Sequence, residues 1–147
     1  MPSTYTSLHY HLIFSTKCRQ PCIEKSWRDD LHRYLHGTAE GLGGYPRIAG
    51  GIHDHVHLLV SLKPTACLSD FVRELKKASS SWVGQSHLPG FSWQNGYAAL
   101  TVSPSARNEV MRYIARQEEH HRVRTFRDEL VDFLERAGVD YDERYLD

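Results

Sequence analysis

The segment at residues 53–60, with the sequence HDHVHLLV, contains the side chains of this chain that are best suited to chemistry. In a β-strand, residues two apart point to the same face, so His53, His55 and His57 would lie in one row. Two imidazoles on alternate positions of a rigid strand can hold a metal ion at two points. Spacing alone leaves open whether His53/His55 or His55/His57 forms the pair. It also leaves open plain surface histidines, since residues 9–11 repeat the H-x-H spacing.

A second candidate pair is Tyr113 and Gln117, which stand four residues apart in a predicted helix and would share one of its faces. Both would lie at the edge of an apolar stripe that includes Val110 and Ile114. Tyrosine is one of the residues that form covalent intermediates in catalysis. Taken alone, the pair is more typical of a tyrosine at the edge of a core and a solvated glutamine.

The two pairs together indicate a specific chemistry. A helix laid over the histidine face would bring the tyrosine and the glutamine above the imidazoles. A phenol has a pKa of about 10 and is a poor nucleophile near neutrality, whereas a metal ion polarises a phosphate and stabilises charge in the transition state. Two imidazoles and one amide oxygen leave positions open for phosphate oxygens and water. This donor set fits Mg²⁺ or Mn²⁺, and the imidazoles favour Mn²⁺.

The elements that must position these residues follow from hydrophobic periodicity. Strands are predicted over residues 7–17, 45–52, 53–62 and 97–102. A first helix begins near residue 23 and ends at the glycines of residues 41–44, a second covers residues 69–83, a third starts at Ser103-Pro104, and a last one covers residues 126–137. The order βαββαβ predicts an α+β fold with a ferredoxin-like antiparallel sheet, to which a catalytic helix and a C-terminal helix are added.

Length and charge limit the class of protein. The 147 residues predict one domain, 1–147, without a membrane-spanning segment. The odd number of cysteines, three, is typical of free thiols in a reducing compartment, so a cytoplasmic location is expected. Net charge is zero, but residues 128–147 hold eight acids and two bases, while residues 1–127 hold sixteen bases and ten acids. This asymmetry predicts a basic binding surface and an acidic C-terminal segment.

The chain resembles the REP-associated tyrosine transposases, which belong to the single-tyrosine HUH transposases of bacterial insertion sequences. Five stretches in the same order carry the resemblance: YHLIFSTK at residues 10–17, DHVHLLVS at residues 54–61, WQNGY at residues 93–97, YIARQ with EHH at residues 113–121, and YDERYL at residues 141–146. The name HUH stands for His-hydrophobic-His, which selects His55-Val56-His57 over the neighbouring pairs.

The resemblance implies a mechanism and a partner. His55, His57 and Gln117 would bind the divalent ion, and Tyr113 would attack a phosphate of single-stranded DNA next to a hairpin. A 5′-phosphotyrosine would form and a 3′-OH would be released, which can reverse the reaction or join another strand. Some relatives are homodimers that exchange the tyrosine helix and others are monomers, so the resemblance leaves the oligomeric state open.

Two other functions are compatible with the pattern. The main alternative is a non-catalytic nucleic-acid-binding module of ferredoxin-like fold, although such RNA-binding sheets present aromatic side chains where this chain has histidines. A metal phosphoesterase that uses activated water would have no need of Tyr113. Several further side chains are secondary candidates for binding the ion, phosphate or bases: His120, His121, Arg73, Lys76, Lys77, Trp82, Phe91 and Trp93.

Overall fold

The computed structural model of the chain describes residues 3–146, so that Asp147 of the acidic segment lies outside the described residues. The elements follow the predicted order. The strands are β1 His9–Ser15, β2 Tyr45–Gly51, β3 His55–Ser61 and β4 Ala98–Thr101, and the helices are α1 Lys25–Gly41, α2 Leu68–Ser86, α3 Arg107–Ala115, α4 Gln117–His120 and α5 Phe126–Arg136.

The four strands form one antiparallel sheet in the order β2-β3-β1-β4, with β1 and β3 at its centre. The βαββαβ order with this strand arrangement is the ferredoxin-like fold, so the predicted fold class is confirmed. Ser15 pairs with His55 and Ile13 with His57. Because directly opposed residues share a face, the register aligns the histidine face of β3 with that of β1.

One face of the sheet packs against α1 and α2 and forms the main hydrophobic core. Leu12 and Phe14 of β1 and Val56, Leu58 and Val60 of β3 point to this side, and all five are buried. Each helix contributes the apolar side chains of one face, as its amphipathic sequence predicts. These helix residues are Trp27, Leu31, Leu35, Phe71, Val72, Leu75 and Val83.

The opposite face, which carries the histidines, is covered by the three helices that follow β4. Ile114 of α3 packs on Leu59 of β3, and Phe126 of α5 stacks on the ring of His55 with centroids 4.1 Å apart. His55 and His57 are consequently 0% exposed. The α3–α5 layer therefore covers the second face of the sheet and shields it from solvent.

A glycine in β2 allows the layer to approach the sheet closely. A Cβ atom built on Gly50 would lie 2.6 Å from the carbonyl oxygen and 2.8 Å from the side chain of Ile114. No side chain larger than hydrogen fits in that space without a shift of α3. Gly50 thus sets the distance between the sheet and the helix that carries Tyr113.

The structure corrects two predicted boundaries. The third strand begins at His55 and not at residue 53, because His53 and Asp54 form a tight turn in which the N–H of Ile52 donates to the carbonyl of His55 at 3.2 Å. The predicted helix through Tyr113 and Gln117 is broken at Arg116, whose φ of −108° and ψ of 29° end α3, and Gln117 opens α4. Within residues 3–146, no helix is long and apolar enough to cross a membrane.

Candidate active site

The two histidines of β3 are oriented by partners on the outer side of their rings. His55 donates from Nδ1 to the carboxylate of Asp54 at 2.7 Å, and Nδ1 of His57 lies 2.7 Å from Nε2 of the buried His11. Burial lowers the pKa of His11 to about 3, so its ring is neutral. In both β3 histidines the remaining nitrogen, Nε2, faces the α3–α5 layer.

Gln117 and His121 reach these nitrogens from α4 and from the turn after it. The side-chain oxygen of Gln117 lies 3.0 Å from Nε2 of His55 and 3.1 Å from Nε2 of His121. His121 in turn holds the carbonyl of Arg124 with Nδ1 at 2.8 Å. The break at Arg116 turns the chain so that Gln117, 2% exposed, points into the cluster.

A carboxylate from α5 completes the cluster. Glu129 is 2% exposed, and its Oε1 lies 2.9 Å from Nε2 of His57 and 3.4 Å from Nε2 of His55. Its Oε2 lies 3.1 Å from Nε2 of His121 and accepts from the side-chain amide of Gln117 at 3.3 Å. Burial by itself raises the pKa of this carboxyl, but the hydrogen bonds to His121, His55 and His57 outweigh it and hold the pKa well below its usual range.

Tyr113 joins the cluster through its hydroxyl, which donates to Oε2 of Glu129. Its ring stacks on His120 with centroids 4.3 Å apart. Burial, followed by the neighbouring Glu129 carboxylate, raises the pKa of the Tyr113 hydroxyl well above its usual range. The Tyr113 side chain is therefore a protonated phenol in this arrangement. A positive charge close to its hydroxyl would favour the phenolate.

The structure brings together the four residues singled out as site residues, namely Tyr113, His55, His57 and Gln117. It excludes His53 from this set, because that side chain is 51% exposed in the β2–β3 turn. The second H-x-H sequence is not an equivalent site: His11 contacts His57, and His9 contacts Ser61.

Glu129 was not predicted as a site residue, although the sequence contains a signal for it. It lies three residues after Phe126 and four before Phe133, on the apolar stripe of α5, where an acid is unexpected. His121, named only as a secondary candidate, is a full member of the cluster. Its Nε2, Nε2 of His55 and a carboxylate oxygen of Glu129 lie within 4.8 Å of one another.

Four of the other secondary candidates have structural partners. Trp93 is buried and donates from its indole N–H to Ser79 at 2.9 Å, and Trp82 stacks on Tyr34. The ammonium group of Lys76 donates to the backbone carbonyls of the loop before β4 at 2.7 and 2.8 Å. Arg73 pairs with Asp70. These contacts indicate packing and loop support for these four side chains.

An open cleft of about 510 Å³ lies on the outer side of Tyr113. Four arginines line it, together with two acids: Arg112, Arg116, Arg124, Arg136, Glu109 and Asp132. Asp132 pairs with Arg136 at 3.2 Å and with Arg124 at 3.7 Å. The excess of guanidinium groups makes the entrance to the cluster basic, which suits a polyanion.

The chain is similar to known transposases over most of its length. A family model described as transposase, IS200-like, matches residues 4–117. The ISDra2 transposase TnpA of Deinococcus radiodurans is 34% identical over 119 residues, which cover 76% of this chain and 85% of that protein. A solved structure of a transposase from D. radiodurans R1 has a TM-score of 0.63 at 30% identity and covers 80% of this chain and 96% of its own.

A second solved structure, of a REP-associated tyrosine transposase bound to a REP hairpin, has a TM-score of 0.60 and covers 82% of this chain and 74% of its own. At 14% identity it shows a common fold. The family model and the 34% identity show more than the fold, because both span most of the chain. The resemblance noted from the sequence is thus confirmed, and the chain belongs to the IS200-like family of transposases.

Proposed function

We propose that this chain is a metal-dependent nuclease and strand transferase for single-stranded DNA, with Tyr113 as the nucleophile. The observation that carries the proposal is the position of the Tyr113 hydroxyl, which contacts a buried cluster of imidazoles, an amide and a carboxylate at the end of a basic cleft. A structural tyrosine at the edge of a core would have no need of such neighbours.

The proposed metal ligands are His55, His57 and Gln117. The fit of a divalent ion is supported by the chemistry of these donors, since each presents a lone pair toward the same buried region and the outer ring nitrogen of each histidine is already engaged. Oxygen and imidazole donors suit Mg²⁺ or Mn²⁺, and the imidazoles favour Mn²⁺. When bound, the ion would polarise the scissile phosphate and offset the charge that accumulates on its oxygens.

In the proposed reaction, Oη of Tyr113 attacks phosphorus and forms a 5′-phosphotyrosine bond, while the bond from phosphorus to the 3′ oxygen breaks. The phenolic proton is lost from Tyr113, and the departing 3′ oxygen takes up a proton to become a 3′-OH. The phosphodiester energy is retained in the new ester, so the reverse attack by a 3′-OH can rejoin strands without ATP.

The four arginines of the cleft support DNA as the partner, because guanidinium groups bind phosphates through paired hydrogen bonds. The resemblance and the hairpin in the REP-associated structure favour a single strand that carries a hairpin.

The test is trapping of a covalent protein–DNA adduct. Purified protein is incubated with Mn²⁺ and hairpin oligonucleotides that carry single-stranded flanks, and the adduct is detected as a band shift that survives denaturation. Wild type is expected to form it, and Tyr113→Phe should form none while retaining DNA binding, because only the hydroxyl is lost. Tyr45→Phe, at an exposed tyrosine of β2, is the matched control and should retain the adduct.

Two results would contradict the proposal. An adduct that persists in Tyr113→Phe would assign the nucleophile to another residue. DNA binding without any adduct, across hairpin libraries and with Mn²⁺ or Mg²⁺ present, would favour the alternative of a non-catalytic nucleic-acid-binding module.

A further inference from the structure

We propose that His121 and Glu129 are additional ligands of the divalent ion, so that the centre has five protein donors: three imidazoles, one amide oxygen and one carboxylate. This inference rests on the metal site of the proposed function and extends it to two residues beyond residues 4–117, the part of the chain that matches the family model. It assigns a binding role to α5, whose other side chains cover the sheet.

The first argument is the direction of the lone pairs. An imidazole that donates its N–H from one nitrogen has a lone pair on the other. His55 donates from Nδ1 to Asp54 at 2.7 Å, and His121 has Nδ1 at 2.8 Å from the carbonyl of Arg124, which can only accept. In the neutral form of each ring, the Nε2 lone pair is directed into the cluster, as in metal sites where an outer partner sets the tautomer.

The second argument is the convergence of inward atoms that can each donate an electron pair. Nε2 of His55 faces two acceptors, the oxygen of Gln117 at 3.0 Å and Oε1 of Glu129 at 3.4 Å. Nε2 of His121 faces the same amide oxygen and the carboxylate of Glu129, each at 3.1 Å. When the Nε2 protons are absent, electron-pair donors at such distances repel one another, and a divalent ion in place of those protons would bind all of them at once.

The third argument is the spacing itself. Donor atoms that bind one ion at about 2.1 Å and at right angles to one another are about 3 Å apart. The inward contacts of the cluster, from 2.9 Å between His57 and Glu129 to 3.4 Å between His55 and Glu129, fall around this value. The cluster thus has the dimensions of an octahedral centre with one position left for a phosphate oxygen.

The fourth argument is charge. Glu129 is 2% exposed, and a buried carboxylate without a compensating charge is costly. A divalent ion bound at the cluster would supply that compensating charge. Oε1 of Glu129 points to the β3 histidines, and Oε2 of the same carboxylate accepts from Tyr113 and Gln117. A carboxylate bound through one oxygen would leave the other to hold the nucleophile beside the ion.

The test is titration of Mn²⁺ into metal-free, full-length protein by calorimetry, in the absence of DNA. Wild type should bind one equivalent. Glu129→Gln and His121→Asn should each weaken binding at least tenfold, since even the loss of a residue that only orients a ligand costs about 10–100-fold in affinity. Exposed neighbours of the same types are the matched controls, and Glu119→Gln and His53→Asn should leave the affinity unchanged.

A second measurement does not depend on variants. Pulsed electron paramagnetic resonance of Mn²⁺ bound to the unmodified protein counts coordinated imidazoles; three are expected, from His55, His57 and His121, and the His121→Asn protein should show two. Two imidazoles in wild type, or full Mn²⁺ affinity in Glu129→Gln, would overturn the proposal. Neither readout needs DNA or a nucleophile, so both are repeated in Tyr113→Phe, where Mn²⁺ binding should persist even if the nuclease assignment fails.

Discussion

At the scale of single residues, the proposed active site includes side chains that would not touch the reacting atoms. Asp54 is the clearest case, because its carboxylate holds Nδ1 of His55 at 2.7 Å and so directs Nε2 toward Gln117. His11 has the corresponding position beside His57. Such outer partners fix the tautomer of a ligand histidine and raise its basicity. They explain why the turn before β3 carries an acid.

Asp54→Asn should therefore lower Mn²⁺ affinity about 10–100-fold without unfolding the protein. An amide can accept from His55 Nδ1 but carries no charge, so the ligand becomes less basic. The measurement is the same calorimetric titration, with Asp30→Asn on the surface of α1 as the control. Equal affinities in the two variants would show that the Asp54 contact has no influence on the ion.

His32 of α1 predicts a pH dependence of stability that is independent of the site. Burial lowers the pKa of its imidazole to about 4, and its Nε2 has no hydrogen-bond partner among the described residues. Since the unfolded chain has a pKa near 6.5, it binds more protons than the folded chain between pH 6.5 and 4. Stability from this group is thus complete above pH 6.5 and is lost as the pH falls toward 4.

Between pH 6.5 and 4, the free energy of unfolding of His32→Leu should fall by about 1–3 kcal/mol less than that of wild type. Urea denaturation at several pH values measures this difference. His36→Gln, at a more exposed histidine one turn later, is the control and should follow wild type. Parallel curves for His32→Leu and wild type would refute the prediction.

At the scale of elements, the fit of α3 on the sheet determines where Tyr113 stands. Ile114, the next residue, is 1% exposed and packs on β3 through Leu59 and on β2 at Gly50. The break at Arg116 then turns Gln117 into the cluster. The proposed nucleophile and the proposed ligand are thus positioned by one short helix and its end, and a small shift of α3 would separate them.

Gly50→Ala tests this dependence. The new Cβ would meet the backbone of Ile114 at 2.6 Å, so α3 must move, and a loss of about 1–3 kcal/mol of stability is expected from the overpacking. Adduct formation should fall further than the stability loss explains, because the Tyr113 hydroxyl is displaced. The assay is adduct yield under conditions where both proteins are folded by circular dichroism.

Gly37→Ala, in the exposed middle of α1 with no atom within 4 Å of the new Cβ, is the matched control. It should leave adduct yield unchanged and raise stability by about 0.5–1 kcal/mol, as expected for glycine in a helix. Adduct yield in Gly50→Ala equal to that of this control would show that α3 tolerates the displacement.

At the scale of the whole molecule, opposite charges are divided along the chain. Residues 1–127 carry sixteen bases and ten acids, and residues 128–147 carry eight acids and two bases. The structure divides the acidic segment further. α5 contacts the sheet through Phe126, which stacks on His55, and through Phe133, which contacts His11, and it supplies Glu129 to the cluster. Asp140 and Glu143 lie beyond α5 and are exposed, so these acids can be changed without altering the helix.

We predict that neutralising the end of the acidic segment raises affinity for non-specific single strands. The variant changes Asp140, Asp142 and Asp147 to Asn and Glu143 to Gln, which removes four negative charges and leaves α5 intact. Affinity for a random oligonucleotide is compared with wild type across a salt titration, because phosphate contacts dominate such binding at low salt. Unchanged affinity at low salt would mean that these acids are only a solvated surface.

Local sequence patterns determined the elements of this protein. Alternation of apolar residues defined β1 and β3, and helical periodicity defined α1, α2 and α5, because these patterns depend only on which face of an element is buried. The βαββαβ order then limited the sheet to a ferredoxin-like topology. The same patterns offered His53, His55, His57, Tyr113 and Gln117 as candidates, since H-x-H on a strand and an i, i+4 pair are spacings within single segments. The family resemblance then selected His55 and His57 from the three histidines.

Only the tertiary structure decided which of these residues meet and what joins them. The turn at His53 and Asp54 removes His53 from the row of histidines, which spacing could not determine. Glu129 meets His57 across 72 residues of sequence, and His121 enters through a turn that follows a helix break. Both contacts depend on how α4 and α5 pack on the sheet, although Glu129 stands out in the sequence as an acid on the apolar stripe of α5. Local spacing thus predicted some residues of the cluster. The others joined it only because α4 and α5 pack against strands that are distant in sequence.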